Sequence, residues 1–187
     1  MGGNAIAFAQ TCEHVIAIDN DKTRLRLARH NAAIYGVDDR IEFVLGDFIQ
    51  FAKNLTERGQ TRQAGRAVDV IFLSPPWGGP SYLHGTDQNL PSDPSEHPEF
   101  LLSDITPIHG SELFKLAERI TPNVAYYLPR NTNLQEISDL VSNPRGGGPK
   151  GKGKAQMVEV EEEWMGEKLK ALTCYFGGLA RGQERLF

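Results

Sequence analysis

The run from Asp69 to Gly79 constrains the fold of this chain more than any other segment. Its first part, Val70 to Leu73, is short, apolar and rich in β-forming residues, which is typical of a buried strand. Pro75 and Pro76 then end the strand, because proline has no N–H to donate to a sheet. Since open α/β sheets bind ligands at the carboxyl ends of their strands, the turn after this strand is predicted to form a ligand site.

The turn Ser74-Pro75-Pro76-Trp77 suits a planar base that has an exocyclic amine. Fixed proline φ angles orient the carbonyl oxygens of Ser74 and Pro75 as acceptors, and the Trp77 ring follows beside them. We expect Trp77 to stack on the base, with a cation–π contribution if the base is positively charged. Ser74, Pro75, Pro76 and Trp77 are therefore the catalytic candidates, acting by positioning. The alternative interpretation is a tight turn around a buried tryptophan.

Length and composition are typical of one globular domain with an ordinary core. The chain has 187 residues, 40% of them hydrophobic and 24% charged. Its net charge of −4 argues against a broad nucleic-acid footprint, but not against a nucleotide end held by a few basic residues. Cys12 and Cys174 are far apart, so we expect no metal site, no disulfide framework and a reducing compartment. No apolar run approaches a membrane span, and no membrane partner is predicted.

Strands alternate with helices along the chain, which predicts an α/β fold with a mostly parallel sheet. Further strands are predicted at 15–18, 41–45, 124–128, 158–164 and 169–176. The last two form a C-terminal antiparallel hairpin. We expect a single domain over 1–187, with flexible loops at 81–107 and 143–154.

Asp19 follows the first predicted strand and is a candidate ligand for the ribose hydroxyls of a nucleoside cofactor. Gly2-Gly3-Asn4 lies upstream, and glycines in such a turn allow the backbone to approach a cofactor closely. The alternative is that residues 19–21 only cap the next helix.

Asp47 follows the second strand and is a candidate acceptor for an adenine amine, with Phe48 packing on the ring. A solvated turn aspartate is the alternative interpretation. Because Asp19, Asp47 and Ser74 all follow strands, we expect them to line one edge of the sheet.

Basic residues that follow or begin strands are candidate phosphate ligands. Arg130 follows the strand at 124–128, and alternation along the last strand would place Lys168 and Lys170 on one face. Solvated surface charge is the alternative for each of them.

These residues together resemble the methyltransferase domain of the trimethylguanosine synthase family, which methylates the guanine N2 of RNA caps. The resemblance spans nearly the whole chain. Its segments are Gly2-Gly3-Asn4, 15–19, 28–32, 41–43, Gly46-Asp47-Phe48, 70–80, 127–131, 168–170 and 173–177.

The resemblance implies a Rossmann-like class I methyltransferase that uses S-adenosylmethionine. It implies 7-methylguanosine-capped small nuclear and small nucleolar RNA as substrate and a 2,2,7-trimethylguanosine cap as product. It also implies a location in the nucleus (nucleolus or Cajal body), the cytoplasm or both, and identifies no protein recruiter.

The resemblance also implies roles for individual residues. Gly2, Gly3, Asn4, Asp19, Asp47, Phe48 and Ser74 would bind the cofactor. Asn31 and Trp77 would contact the methylguanosine. Tyr82, Arg130 and Lys170 would contact the cap triphosphate.

The family pattern has a first strand before Gly2 and an N-terminal extension that this sequence does not contain. We therefore expect an N-terminally truncated domain that binds cofactor poorly and has weak or no activity. Two alternatives follow: an adenine-N6 methyltransferase of DNA or RNA, and an impaired fragment that only binds cap. The adenine enzymes usually have Asn or Asp where Ser74 stands and Tyr or Phe where Trp77 stands.

Overall fold

The computed structural model describes residues 1–57, 68–77, 98–142 and 157–180. The chain forms two compact units, Met1–Arg58 and Gly59–Phe187. Within the described ranges, no helix is both long and apolar enough to cross a bilayer.

The order of elements is the predicted alternation of strands and helices. The first unit contains α1 (Gly3–Ala9), β1 (Val15–Asp19), α2 (Lys22–Ile34), β2 (Ile41–Leu45) and α3 (Phe48–Glu57). The second unit contains β3 (Ile71–Leu73), α4 (Gly110–Ile120), β4 (Val124–Pro129), α5 (Leu134–Ser142), β5 (Glu159–Met165) and β6 (Lys168–Tyr175). The predicted α/β fold with a C-terminal hairpin is confirmed.

The first unit is built on a parallel pair of strands. β1 pairs with β2 so that Val15 lies opposite Ile41 and Asp19 lies opposite Leu45. Helices α1 and α2 contribute to the same core cluster, which consists of Ile6, Ala9, Ala32, Val37 and Ile41. Burying these apolar side chains is the main stabilising contribution to the unit.

Helix α2 begins and ends where its sequence predicts. The Asp21 side chain accepts hydrogen bonds from the backbone amides of Thr23 and Arg24, at 2.7 and 3.1 Å. The amides of Arg24 and Thr23 lower the pKa of the Asp21 carboxyl. Gly36 has a left-handed φ of 67° just beyond the helix, as expected for a C-terminal stop.

The second unit contains a four-stranded sheet in the order β3-β4-β6-β5. β3 and β4 are parallel, whereas β6 runs antiparallel to both β4 and β5. The described strands thus form two sheets rather than the single sheet that we expected. The reason is that, in the described part of the chain, no strand pairs with both β1 and β3.

Strand β4 lies in the interior of this sheet. Of its six residues only Tyr127 is not buried. Tyr126 is fully buried and donates its hydroxyl to the carbonyl oxygen of Gly110 at 3.2 Å, which satisfies the phenol inside the core. Its ring also stacks with Phe114 of α4 at a centroid distance of 6.5 Å.

The predicted flexible loop at 81–107 is described only for residues 98–107. Phe100, Leu102 and Ile105 in this part have exposed fractions of 3% or less. Phe100 also exchanges backbone hydrogen bonds with the turn after β4, accepting from Asn133 at 2.9 Å and donating to Asn131 at 2.8 Å. Three large apolar side chains therefore pack this part of the loop into the second unit, and the flexibility of 81–107 stays a prediction.

A left-handed glycine, Gly177, leads the chain out of β6 with a φ of 68°. A Cβ there would clash with the Pro122 carbonyl group, lying 2.7 Å from its carbon atom. Gly166 in the β5–β6 turn has a similar φ of 61°, but nothing lies within 4 Å of its Cβ position. The two glycines thus share a left-handed backbone conformation and differ in the free space around the Cβ position.

We expect Gly177→Ala to lower the free energy of unfolding by about 1–3 kcal/mol more than Gly166→Ala, because only the first adds overpacking to the left-handed strain. Urea unfolding of both variants measures the difference. Equal losses would contradict the clash.

The two cysteines should differ sharply in reactivity. Cys174 is fully buried in β6, and burial raises the pKa of its thiol to about 12, so roughly one thiol in 10,000 is ionised at pH 8. Cys12 is exposed. We expect a disulfide reagent at pH 8 to modify one thiol in the folded chain and the second only after unfolding. Fast modification of a folded Cys12→Ser variant would contradict this assignment.

Candidate functional site

The Ser74–Trp77 turn follows the carboxyl end of β3, as its sequence predicts. Strand β3 ends at Leu73, and the next two prolines have no N–H to extend the ladder. Ser74 and Pro76 are exposed, whereas Pro75 and Trp77 are partly buried. Ser74 and Pro76 are thus open to solvent while the tryptophan packs on the protein.

Trp77 packs on an aromatic residue that the sequence interpretation did not single out. The rings of Trp77 and Tyr127 lie 5.0 Å apart, centroid to centroid, with an interplanar angle of 34°. Tyr127 also lies 6.0 Å from Phe72. Such offset pairs stabilise one another beyond their buried area. Phe72, Tyr127 and Trp77 together are called the aromatic cluster.

The strand register explains why Tyr127 belongs to this cluster. Phe72 lies opposite Ala125 in the parallel β3–β4 pair, so Phe72 and Tyr127 share one face of the sheet. The alternation of side chains along a strand, applied to the sequence of β4, would have placed Tyr127 on that face. Its pairing with Trp77 depends on the register, which the sequence does not specify.

Arg130 and Lys170 come together at one end of the sheet. The Arg130 guanidinium donates a hydrogen bond through Nη1 to the carbonyl oxygen of Leu169 at 3.4 Å, and Lys170 is the next residue. Lys170 is exposed and Arg130 partly buried. The antiparallel pairing of β4 with β6 places these two residues near each other along the backbone, since the end of one strand meets the start of the other.

The expected alternation of Lys168 and Lys170 is interrupted by a β-bulge. The β5–β6 pairing passes from Ala171 directly to Leu169 and skips Lys170. The prediction that Lys168 and Lys170 share a face assumed an unbroken strand, and the bulge removes its basis.

Asp19 and Asp47 lie at the carboxyl edge of the β1–β2 sheet in the first unit. Asp19 is the last residue of β1, and its backbone carbonyl accepts the Gly46 amide at 3.1 Å. Asp47 follows that glycine. Two of the three residues predicted to line one edge are thus neighbours, and Ser74 belongs to the second unit.

Both carboxylates also stabilise the local backbone. One oxygen of Asp19 accepts the Asp21 amide at 2.7 Å. One oxygen of Asp47 accepts the amides of Ile49 and Gln50 at 2.6 and 3.2 Å, at the start of α3. A carboxylate has about four acceptor sites, so each retains capacity for hydroxyl or amine donors. The two acceptor carboxylates therefore fit the hydroxyl and amine groups of a nucleoside cofactor, and the capping interpretation holds alongside this fit.

Close packing against α2 favours a glycine at position 2, which the sequence interpretation missed. Its φ is 81°, and a Cβ there would lie 2.7 Å from the Ala28 side chain of α2. The glycine thus allows the chain to approach a helix, and its expected approach to a cofactor stays a prediction. Gly3 begins α1, and Asn4 is exposed on it.

Asn31 lies on α2 beside a cavity of about 510 Å³ in the first unit. The cavity is lined by Met1, Gly3, Ile6, Ala7, Gln10, Asn31 and Tyr35. The Asn31 amide donates to the Met1 carbonyl at 2.9 Å, which ties the first residue to α2.

Phe48 is partly buried at the start of α3. Tyr82 lies outside the described residues.

Comparison with known proteins identifies one family. The model of the RNA cap guanine-N2 methyltransferase family matches residues 1–179. The trimethylguanosine synthase of Schizosaccharomyces pombe is 38% identical over 138 residues, which are 73% of this chain and 50% of that protein. The Saccharomyces cerevisiae trimethylguanosine synthase is 31% identical over 176 residues, 94% of this chain and 48% of that protein. The chain thus spans about half the length of the curated relatives it matches.

Two solved structures show a weaker likeness. One bears the name of an rRNA-methylase from Clostridium thermocellum, at a TM-score of 0.49 and 11% identity over 94% of this chain and 82% of that chain. The other bears the name of an O-methyltransferase from Klebsiella pneumoniae. Its TM-score is 0.48 and its identity 15%, over 94% of this chain and 68% of that chain. Neither adds to the fold that the strand pairing shows. The adenine-N6 alternative is not favoured by the family match.

We expect Tyr127 to hold the Trp77 ring. In a Trp164→Phe background Trp77 is the only tryptophan. There, Tyr127→Leu should shift the Trp77 fluorescence emission to longer wavelength, because the ring loses an aromatic contact worth roughly 0.5–1.5 kcal/mol. Tyr127→Phe keeps the ring and is the matched control. Identical spectra for all three proteins would contradict the contact.

Proposed function

The chain belongs to the RNA cap guanine-N2 methyltransferase family, and from this premise we propose that it methylates the N2 of 7-methylguanosine caps with S-adenosylmethionine as donor. The product would be the 2,2,7-trimethylguanosine cap. The observation that supports this most is the family match over 1–179, which includes the Ser74–Trp77 turn and its aromatic support.

The turn suits a weak amine nucleophile. The lone pair of guanine N2 is delocalised into the ring, so the amine gains most from being held in place. The carbonyl oxygens of Ser74 and Pro75 would accept its hydrogens and orient the lone pair. Positioning of this kind can contribute up to about 7–11 kcal/mol to lowering a barrier. This mechanism requires no covalent nucleophile and no strong general base.

Trp77 would bind the methylated base by stacking. The N7-methylguanine ring is positively charged, and tryptophan provides the best face for a cation, at about 0.5–2 kcal/mol. Tyr127 supports the tryptophan from the same sheet face. The charge preference would let the site distinguish a methylated cap from an unmethylated one.

The first unit would hold the cofactor. Asp19 would accept the ribose hydroxyls and Asp47 the adenine amine, with Phe48 against the ring and Gly2-Gly3-Asn4 nearby. When bound, S-adenosylmethionine supplies an electrophilic methyl group. The carboxylates would orient it through acceptor sites beyond those that hold the local backbone.

The remaining contacts concern the rest of the cap. Arg130 and Lys170 lie near each other in the fold at one end of the sheet, and two cations there would suit a triphosphate. We extend the proposal to Tyr82 at the triphosphate and to Asn31 at the methylguanosine. The RNA clients would be small nuclear and small nucleolar RNAs, handled in the nucleus, the cytoplasm or both.

Two substitutions should separate cap binding from cofactor binding. Trp77→Ala should weaken binding of 7-methylguanosine triphosphate by roughly 5- to 150-fold, the loss of a stacking contact of about 1–3 kcal/mol, and leave S-adenosylmethionine affinity unchanged. Asp19→Ala should do the reverse, weakening the cofactor about tenfold or more, because hydrogen bonds to a charged group are lost. Calorimetric titration of each variant with each ligand measures both.

Trp164→Ala removes the other tryptophan, which is 57% exposed on β5, and serves as the control. The wild-type chain is also assayed with labelled methyl donor and either the 7-methylguanosine or the unmethylated cap dinucleotide. Equal transfer to both caps would refute the cation-stacking argument. Absence of transfer to either would refute the proposed activity of these residues and favour the alternative of an impaired fragment that only binds cap.

A further inference from the structure

Helix α2 has a charge opposite to that of the chain. Its residues include Lys22, Arg24, Arg26 and Arg29 and no Asp or Glu, whereas the whole chain has a net charge of −4. The overall charge therefore conceals a local excess of cations on a single helix.

Three of these cations form one exposed row. Lys22, Arg26 and Arg29 are spaced by four and three residues, so they lie on one side of the helix, over about 10 Å of its length. All three are exposed, and among the described residues none of them forms an ion pair. Arg24 differs, since it pairs with Asp21 at 3.6 Å.

Within the described part of the chain, no ion pair explains this row. Like charges one helical turn apart repel each other, so the arrangement is unfavourable for the isolated helix. A series of phosphates along the row would relieve that repulsion and release counterions. Charge complementarity therefore favours an extended polyanion over a single anion.

A membrane surface is a poorer fit than a nucleic acid. Interfacial helices use their apolar face to enter the lipid. In α2 that face consists of Leu25, Ala28 and Ala32, all buried within the first unit. The large exposed apolar side chains on or next to α2 are Leu27, Ile34 and Tyr35. Helical spacing places Leu27 and Ile34 about 110–130° around the helix from the middle of the row, so they do not form an apolar face beside it.

We propose that Lys22, Arg26 and Arg29 of α2 bind the phosphate backbone of the RNA chain, independently of its cap. The choice of RNA as the polyanion rests on the proposed function. The row contacts phosphates only, so it contributes affinity without reading sequence.

The test measures the salt dependence of RNA binding. The full chain and a Lys22→Ala/Arg26→Ala/Arg29→Ala variant are titrated with an uncapped single-stranded 20-mer between 50 and 200 mM salt. Each phosphate contact contributes about 0.7 to the slope, so the variant should lose about 2. Over this range wild-type affinity should then fall about 20-fold more than that of the variant. Alanine preserves the helix, which circular dichroism checks.

A Lys53→Ala/Arg119→Ala/Lys115→Ala variant is the matched control. It removes the same charge from exposed residues of α3 and α4 and should keep the wild-type slope. An equal loss in both variants would make net charge the cause and overturn the proposal. Absence of wild-type binding to the 20-mer would also overturn it. So would a variant that loses binding to anionic lipid vesicles but keeps the wild-type binding to RNA.

The cap dinucleotide keeps this proposal separate from the proposed function. It has no RNA chain beyond the first nucleotide, so methyl transfer to it by the wild-type chain reports only on the cap site. Failure of transfer would count against the methyltransferase function. An unchanged salt slope in the α2 variant would count only against the RNA contact.

Discussion

The pairing of β4 on both sides determines the arrangement of the candidate substrate residues. β4 bonds in parallel to β3 and antiparallel to β6, and all its residues except Tyr127 are buried. The parallel side sets the turn at Ser74–Trp77 beside Tyr127. The antiparallel side brings Lys170 next to Arg130. One buried strand thus positions both the aromatic and the basic groups of the proposed cap site.

The acidic residues of the first unit support the local backbone and keep free acceptor sites for the proposed cofactor. Asp19 and Asp47 each use one oxygen to hold a backbone turn. A turn held in this way keeps the carboxylate at the carboxyl edge of the sheet with acceptor sites to spare. Helix capping and cofactor binding are therefore compatible. The two interpretations that the sequence offered for these residues do not exclude each other.

Net charge is a poor guide to binding when charges are segregated. The chain has a net charge of −4, yet α2 contains four cations, while β5 contains Glu159, Glu161, Glu162 and Glu163. Some of these acids have local partners: Glu161 accepts from Tyr175 at 2.6 Å and Glu163 from Thr173 at 2.7 Å. The cations of α2 lie on another element of the chain, so the two charge groups can have different functions.

The sequence by itself determined the elements and their ends. A strand at 70–73, a helix cap within residues 19–21 and the terminal hairpin were predicted, and the structure contains each of them with the strand at 71–73, because each depends on neighbours within a few residues. The placement of Asp19 and Asp47 after paired strands followed from the same local patterns.

Only the tertiary structure decided which distant groups meet. The contact of Trp77 with Tyr127, the approach of Gly2 to Ala28 and the packing of residues 98–107 all join segments far apart in the chain. Such contacts depend on strand register and close packing, which are properties of the assembled core. Local periodicity has no information about them, and for that physical reason the sequence predicted the site's residues but not how they support one another.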